Sequence, residues 1–594
     1  MPVYKTPLRD MRFVYNELLD AAEISSLPGY EEATPDLVDA ILEEAARFCE
    51  EQLQPLNRSG DEEGCSFDNG RVTTPKGVKE AYQAFIEAGW SSLSADPEYG
   101  GQGLPESLNM MLEEIISGSN YAFGLYPGLT AGAYNAISSY ANDELKTIYL
   151  PKMVEGLWTG SMCLTEPQCG TDLGLVRTKA VPREEGGYLI SGTKMFITAG
   201  DHDLTENIIH LVLARTPDSP AGIKGISLFI VPKIKVEADS SLGDANGVTC
   251  GSIEKKMGIH ASSTCVLNFD EAEGYLVGDL NKGMEAMFVM MNSERLDVGL
   301  QGLGVAEASY QGAVEYARER LQGRALRGAK YPDKPADPLL VHPDVRRMLL
   351  IMRAYTEGNR ALTSWVACAL DRSHRHPDPV ERRTANDLVA LMTPIIKAFV
   401  TDCASETTNI GMQVLGGHGY IRENGMEQFV RDARIGQIYE GANGIQALDL
   451  VGRKLPAHTG RYLRSFFHPV RQYLEEKEND FSMHVYLLPL AKAFGRLQKA
   501  TAWIAKRGMK NPEEGAAAAS DYLRLFALVA LGYLWMRMAE IGREKRGGDE
   551  ALFYQAKVDT ARFYFERILP QTGSLYANIM AGSEGMMKFN DEAF

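Results

Sequence analysis

The alternation of apolar and polar positions changes three times along the chain. Up to about residue 160 apolar side chains recur at helical spacing: Leu37, Ile41, Leu42, Ala45 and Phe48 share one face, and Glu43, Glu44 and Arg47 fall mostly outside it. Thr34 before Pro35 and Asp36 predicts a helix start with proline at the first helical position. Tyr99-Gly100-Gly101-Gln102-Gly103 breaks the period and predicts a loop. Between residues 161 and 280 short alternating or apolar runs take over. Residues 187–192 and 194–198 read as two strands around a turn, and 210–214, 226–231 and 265–269 as further strands. From Gly283 the period is helical again, with helices over 284–295 and 298–320, a Pro- and Asp-rich loop over 331–338, and long helices to Leu455. Pro456 closes that block. The tail predicts helices over 462–477, 485–506, 516–545 and 552–569.

The blocks define an α+β chain: an N-terminal helical domain (1–160), a middle β domain (161–280), a C-terminal helical bundle (281–455) and an additional C-terminal helical domain (456–594). This is not the alternating order of a doubly wound sheet. No GxGxxG follows a strand and no Walker A motif is present, which disfavours a Rossmann-type nucleotide site.

The length of 594 residues agrees with the block count at roughly 150 residues per domain. A net charge of −18 repels phosphate backbones, so no nucleic-acid partner is expected, although a local basic pocket can hold one anionic ligand. The eight cysteines form no CxxC pair and read as reduced thiols. His374 and His376 flank Arg375 beside prolines, which predicts a solvated loop and no metal site. Asp10, Glu17 and Asp20 interrupt the apolar positions of the first twenty residues, unlike a leader. The longest apolar run, 525–536, is too short to cross a bilayer and is flanked by Arg524 and Arg537, so a buried helix is expected, with no integral membrane segment. A soluble cytoplasmic protein follows if the source is bacterial.

Four motifs carry chemistry. Met162-Cys163-Leu164-Thr165-Glu166-Pro167-Gln168-Cys169-Gly170-Thr171-Asp172 opens the β block. Lys194-Met195-Phe196-Ile197-Thr198 lies within it. Gly416-Gly417-His418-Gly419-Tyr420 and the run Arg431 to Gln446, containing Tyr439-Glu440-Gly441-Ala442-Asn443-Gly444, close the second helical block. In this order and spacing they resemble the acyl-CoA dehydrogenase flavoproteins over roughly residues 40–455. The tail resembles a long bacterial form of that family with an extra helical domain.

The resemblance implies an FAD-dependent α,β-dehydrogenation of acyl-CoA to trans-2-enoyl-CoA, as in fatty acid β-oxidation. It implies an electron-transferring flavoprotein as acceptor and a homodimer. Medium- or long-chain fatty acyl-CoA is the first expectation for substrate and 3-methylmercaptopropionyl-CoA the second. Glu440 is implied as the α-proton base, with its own backbone N–H and a flavin ribityl hydroxyl facing the developing oxyanion. Read from the residues alone, Glu440 sits where a helix carrying residues 431–439 breaks at Gly441, and Asn443 with Gln446 looks like a capping pair for the next helix. The residues alone favour Glu440 pairing with Arg431 or Arg434 over a catalytic role; the resemblance reverses that preference.

By resemblance Met162, Leu164, Thr165 and Thr198 face the flavin, Thr171 lies near the pyrophosphates and pantetheine, and Phe196 stacks on the ring; the alternative for Phe196 is an ordinary strand core residue. Arg320 and Gln322 are implied to grip the FAD of a partner subunit, with Gln413 and Gly417 in a second FAD-contacting stretch. The alternative for Arg320 is a surface helix charge. Thr171, Arg295 and Gly441 are implied against the acyl-CoA; Arg295 could instead pair with Glu294 or Asp297. Ala442 and Gly444 stand where relatives carry Thr and Gln near the adenosine end, leaving Asn443 as the remaining candidate there. Rival readings are an acyl-CoA oxidase and, from another class, a non-catalytic scaffold or nucleic-acid-binding relative. For the tail, completion of a dimer is expected over membrane-surface docking through Phe466, Phe467 and the Trp535 region.

Overall fold

A computed structural model describes residues 2–594. The chain forms two compact units. One gathers the segments up to Ala46, Pro105–Glu114 and Val298–Phe594; the other gathers Arg47–Leu104 and Ile115–Asp297. Four sequence blocks and two compact units are different divisions of the same chain.

The second unit is built on a sheet. A hairpin of β1 (Ser66–Asp68) and β2 (Arg71–Thr73) precedes it, an element the helical period of that region hides. The strands then run β3 (Trp158–Cys163), β4 (Lys179–Pro182), β5 (Tyr188–Thr198), β6 (Asn207–Ala214), β7 (Ser227–Pro232), β8 (Ile234–Val236), β9 (Leu242–Ala245), β10 (Val248–Ile253) and β11 (Thr264–Val277). The main sheet has the order β3-β6-β7-β11-β5-β4, with β10 also on β11; β3 and β6 are parallel, and the other neighbours antiparallel. Cys163, Ile190, Ile197, Val212, Phe229, Val231 and Leu267 pack into its core. The two strands expected over 187–198 are one strand, β5, without a turn. Gly192 misleads because its reason is tertiary: a Cβ there would lie 2.5 Å from Thr178 Oγ1 and 3.0 Å from Thr178 Cα.

The first unit is helical. Pro35–Phe48 starts as expected, with Thr34 Oγ1 accepting from the Leu37 N–H. Of the expected face, Leu42 and Ala45 are buried and Ile41 and Phe48 half-buried, with Val38 and Ala46 buried beside them, while Leu37 is 38% exposed. Helices expected over 284–295 and 298–320 are one helix, Gly283–Glu319, since neither Gly nor Pro interrupts Leu296 and Asp297. His374 belongs to the helix Pro343–Arg375 and not to a loop. Pro343–Arg375 packs along Pro379–Leu415, and Pro512–Lys545 lies at the centre of the tail against His484–Gly508, Ala551–Phe563 and Thr572–Ala581. The helices Pro379–Tyr420 and Pro512–Lys545 are long and apolar enough to cross a membrane, yet 83% of each qualifying stretch is buried in the fold. Phe466 and Trp535 are fully buried, and Trp535 Nε1 donates to Ala354 O at 3.1 Å where Gly358 leaves room for the indole. Neither can dock on a membrane surface, and the half-buried Phe467 packs on Phe466, Phe494 and Phe526, so the three do not form the exposed surface that alternative requires.

A buried charge cluster ties the tail to the rest of this unit. Arg360, 1% exposed, donates to Asp10 Oδ2 (2.5 Å), Glu114 Oε1 (2.8 Å) and Glu307 Oε2 (2.7 Å). Lys557, fully buried, bonds Asp10 and Glu357 Oε2, the latter at 2.7 Å, and Arg353 Nε lies 2.6 Å from Glu357 Oε1.

Candidate active site

Glu440 occupies a turn between two short helices. The helix Met426–Arg434 tightens into a 3-10 turn over Ile435–Gln437, three residues before Glu440 and earlier than the sequence period suggests. The next helix begins at Asn443. Between them Glu440 has φ 55° and Gly441 φ 85°. Gly441 adopts that region freely, but a glutamate there costs on the order of 1 kcal/mol and persists only if its surroundings impose it. Those surroundings are visible. Lys397 Nζ donates to Gly441 O (2.8 Å), and Gln446 Nε2 donates to Glu440 O (3.1 Å) and Gly441 O (3.2 Å). Tyr439 OH bonds Gln301, and Gln437 Nε2 donates to Asp402 Oδ1 at 2.6 Å. The half-buried Glu440 is therefore aimed by a clamped backbone.

Two expectations change here. Asn443 and Gln446 are not a capping pair: Asn443 is the first helical residue, Ala442 precedes it as the cap, and Gln446 turns back onto carbonyls 440 and 441. Asn443 is engaged inside the fold, accepting from Lys397 Nζ (2.9 Å) and donating to Ala398 O, Thr401 Oγ1 and Asp402 Oδ1. That explains its presence without an adenosine contact. Arg431 binds Glu427 through both carboxylate oxygens. Lys397 lies outside the family motifs; its signal in the sequence is a lysine inside the apolar stretch Ile395-Ile396-Lys397-Ala398-Phe399.

The second unit holds the other candidates. Phe196 is 57% exposed and has φ 58°, at a point where the β5–β11 register shifts between Cys265 and Leu267. A bulge of this kind re-aims a side chain. It turns the phenyl ring out of the sheet, which rules out the core-residue alternative. The loop beside it is pinned to β5. The Met195 N–H donates to Thr165 O (2.9 Å), and Lys194 Nζ donates to Leu164 O (3.0 Å) and Glu166 Oε1 (2.8 Å). Met162, Leu164, Thr165 and Thr198 are half-buried and Thr171 is exposed. Thr198 pairs in register with Thr264.

Arg320 lies one residue past the helix Gly283–Glu319, with Gln322 two residues further, and is an exposed charge at the helix end. Tyr316 OH and His418 Nδ1 are 3.1 Å apart, which brings this segment beside Gly417, and Arg320, Gln322, Gln413 and Gly417 are all exposed. Arg295, by contrast, is 7% exposed and donates to Asn292 Oδ1 at 3.2 Å. Among the described residues no group of three or more His, Cys, Asp or Glu could hold a metal ion.

The chain matches the acyl-CoA dehydrogenase N-terminal domain over residues 36–157, the middle domain over 161–272 and the C-terminal domain over 281–455. Residues 466–590 match the acetyl-CoA dehydrogenase C-terminal-like domain. The chain is 41% identical to 3-methylmercaptopropionyl-CoA dehydrogenase of Ruegeria pomeroyi, over 98% of this chain and 99% of that protein. It is 35% identical to a butyryl-CoA dehydrogenase of Syntrophomonas wolfei, over 100% of this chain and 99% of that protein. Its fold is similar to that of an acyl-CoA dehydrogenase of Bacillus anthracis solved with FAD, with a TM-score of 0.74 and 21% identity over 97% of this chain and 93% of that one. The chain belongs to the acyl-CoA dehydrogenase family, with the long form's extra C-terminal domain. It is an FAD-dependent oxidoreductase acting on the CH–CH bond of acyl-CoA; the scaffold and nucleic-acid readings fall away. The residues fit the cofactor: the exposed, bulge-directed Phe196 offers a flat apolar face to a flavin ring.

Proposed function

We propose that this enzyme forms a trans-2-enoyl-CoA by removing a proton from Cα and a hydride from Cβ, with Glu440 as the base. The observation that carries this is the left-handed backbone of Glu440, held by Lys397 and Gln446 at a junction between helices. A surface ion-pair residue has no need of such a constraint. The Cα–H electrons become the new C=C bond as the proton passes to the Glu440 carboxylate, and FAD, when bound, supplies the two-electron acceptor for the hydride. The backbone N–H of Glu440 faces the thioester oxygen as negative charge grows there. Phe196 supports the ring, Thr165 and Thr198 serve its polar edge, and Met162 and Leu164 line it. Thr171 serves the pyrophosphates and pantetheine, and Arg295 and Gly441 are assigned to the acyl-CoA.

Arg320, Gln322, Gln413 and Gly417, solvent-exposed in one chain, are read as contacts to the FAD of a second copy, so a homodimer is the working assembly. An electron-transferring flavoprotein is the proposed acceptor. For substrate, the full-length relatives at 41%, 35% and 33% identity are named for short acyl groups, and one of Mycobacterium tuberculosis at 31% identity is named for broad-specificity linear acyl-CoA. That favours a short acyl-CoA, 3-methylmercaptopropionyl-CoA first, over the medium or long chains expected from the sequence. Anaerobic bleaching of the bound flavin by a panel of acyl-CoAs, the thioether included, tests chemistry and chain length together. Fastest bleaching by long straight chains overturns the substrate reading, and rapid peroxide formation in air replaces the dehydrogenase with an oxidase.

A further inference from the structure

The loop that carries Thr165 and Thr171 hangs on one buried carboxylate. Glu166, 4% exposed, accepts five hydrogen bonds. Its Oε1 takes Lys194 Nζ (2.8 Å), Thr178 Oγ1 (2.6 Å) and the Thr178 N–H (3.1 Å). Its Oε2 takes Gln168 Nε2 (2.6 Å) and the Arg177 N–H (2.8 Å). The two strands of the loop, 164–166 and 177–178, are thus bridged by one side chain, while the intervening Pro167, Gly170, Thr171 and Asp172 are exposed. Backbone bonds Glu166–Cys169 in both directions close the turn at its base.

Lys194 joins this loop to β5. Its side chain is fully buried, and Nζ holds both Glu166 and Leu164 O, while the next residue donates its N–H to Thr165 O. Phe196 follows immediately, in the left-handed bulge. Three consecutive residues therefore act in sequence: a buried ammonium, a backbone bond, and an outward ring. Gly192, on the same strand, leaves room for Thr178 to approach. Burial raises the Glu166 carboxyl, but the Lys194 charge and the bonds from Lys194, Thr178 and the Arg177 N–H outweigh it and hold the group at about 2. The carboxylate is therefore ionised over the whole working range, while burial lowers the Lys194 ammonium from its ordinary value against the opposing pull of Glu166.

We propose that Lys194 and Glu166 are positioning residues for the flavin: their ion pair fixes the 164–178 loop against β5, so that Thr165 and the Phe196 ring form one preorganised seat. This rests on the reading that FAD binds at Thr165 and Phe196. Neither residue reaches the reacting atoms; both act through the backbone that they hold. A buried pair broken on one side leaves the other charge uncompensated, so Lys194→Met frees the loop, and Glu166→Gln weakens the same bridge while nearly keeping its shape.

The test is FAD affinity and the visible circular dichroism of the bound flavin in the reconstituted full-length protein, measured well below the melting temperature of each variant. Lys194→Met is expected to weaken FAD about tenfold or more, the factor that accompanies ~1.4 kcal/mol of lost ordering, and to change the flavin dichroism. Glu166→Gln is expected to give a smaller change of the same sign, and Lys194→Met/Glu166→Gln to recover part of the affinity by removing the stranded charge. Unchanged affinity and dichroism in folded Lys194→Met, with only a lower melting temperature, overturn the positioning role and leave a purely structural pair. Should Lys194→Met not fold, Glu166→Gln decides by the same two readouts. Phe196→Ala separates the two assumptions: if it leaves the flavin dichroism untouched, the seat itself is misplaced, whatever the pair does.

Discussion

Lys557 in the C-terminal domain is a fully buried charge that bonds two carboxylates from other helices of its unit. The cluster around it contains three cations, Arg353, Arg360 and Lys557, and four carboxylates, Asp10, Glu114, Glu307 and Glu357. Replacing Lys557 by Met keeps most of the volume and removes the ammonium. Asp10 retains Arg360 and Glu357 retains Arg353, so neither carboxylate is stranded entirely, yet two cations then face four buried carboxylates. Removing one partner of a buried pair costs ~3–5 kcal/mol, and the retained partners place this variant near the lower end. Against a typical domain stability of about 5–15 kcal/mol that is a large fraction.

The perturbation is also local in a way that can be observed. Asp10 lies in the N-terminal helix Leu8–Arg12 and Lys557 in Ala551–Phe563, both within the first unit. Hydrogen exchange resolved by segment, with thermal unfolding, is the assay: Lys557→Met should lose protection in these two helices first. Lys557→Met/Asp10→Asn removes charge from both sides and should be less damaged than the sum of the singles, with a coupling of about 0.5–3 kcal/mol. A single variant within ~0.5 kcal/mol of the wild type, the range of an ordinary surface change, would refute the reasoning.

Glu440→Gln should keep FAD and lose turnover at least about a hundredfold, read by single-turnover flavin bleaching; near-normal turnover would mean that another group is the base. Phe196→Ala should retain the sheet, by far-ultraviolet dichroism, while weakening FAD; unchanged retention argues against stacking. Glu114→Gln probes pH: burial outweighs Arg360 and raises the Glu114 carboxyl from 4.5 to about 7, so the folded state binds the proton more tightly than the unfolded one. Wild-type stability from this group is therefore fully present at low pH and falls as pH rises from about 4.5 through about 7. Relative to wild type, Glu114→Gln should gain stability over that window, by up to ~3 kcal/mol; a flat difference between the two would refute the assignment.

Much of this fold is legible along the chain because it rests on local period. The strands around His210, Ile226 and Cys265 announce themselves by apolar runs between turn residues, and the Pro35 helix by its cap. What misleads is any residue whose reason lies elsewhere in space. Gly192 reads as a turn, but its missing Cβ admits Thr178. Leu37 fits the helical stripe as well as Val38 does, and only the packing partner chooses between them. Asn443 and Gln446 have capping-box spacing, yet their side chains serve Asp402 and the Glu440 carbonyl. The motif residues Glu440 and Phe196 could be named, but their left-handed backbones could not, because the contacts around them come from far along the chain: Lys397 bonds Gly441 O from 44 residues before it, and Phe196 lies where β5 shifts register against residues 265–267 of β11.

Those remote groups share a logic. Lys194, Lys397 and Lys557 are fully buried in a chain of net charge −18. An ammonium offers three donors and no acceptor, so in a dry interior it must gather oxygens from several directions. Lys557 gathers two carboxylates and joins helices. The other two each gather a backbone carbonyl with a side-chain oxygen: Leu164 O with Glu166, and Gly441 O with Asn443. Each sits next to a non-glycine residue forced to positive φ, Phe196 in the sheet unit and Glu440 in the helical unit. A methionine of similar volume would fill either space but could not hold a carbonyl there. It follows that Lys397→Met should damage Glu440 without touching it: kcat should fall while FAD stays bound, and Lys194→Met should show the reverse order of sensitivity. If both variants instead lose flavin and turnover in the same proportion, the two lysines are general supports of the fold, and the strained residues beside them owe their backbones to something else.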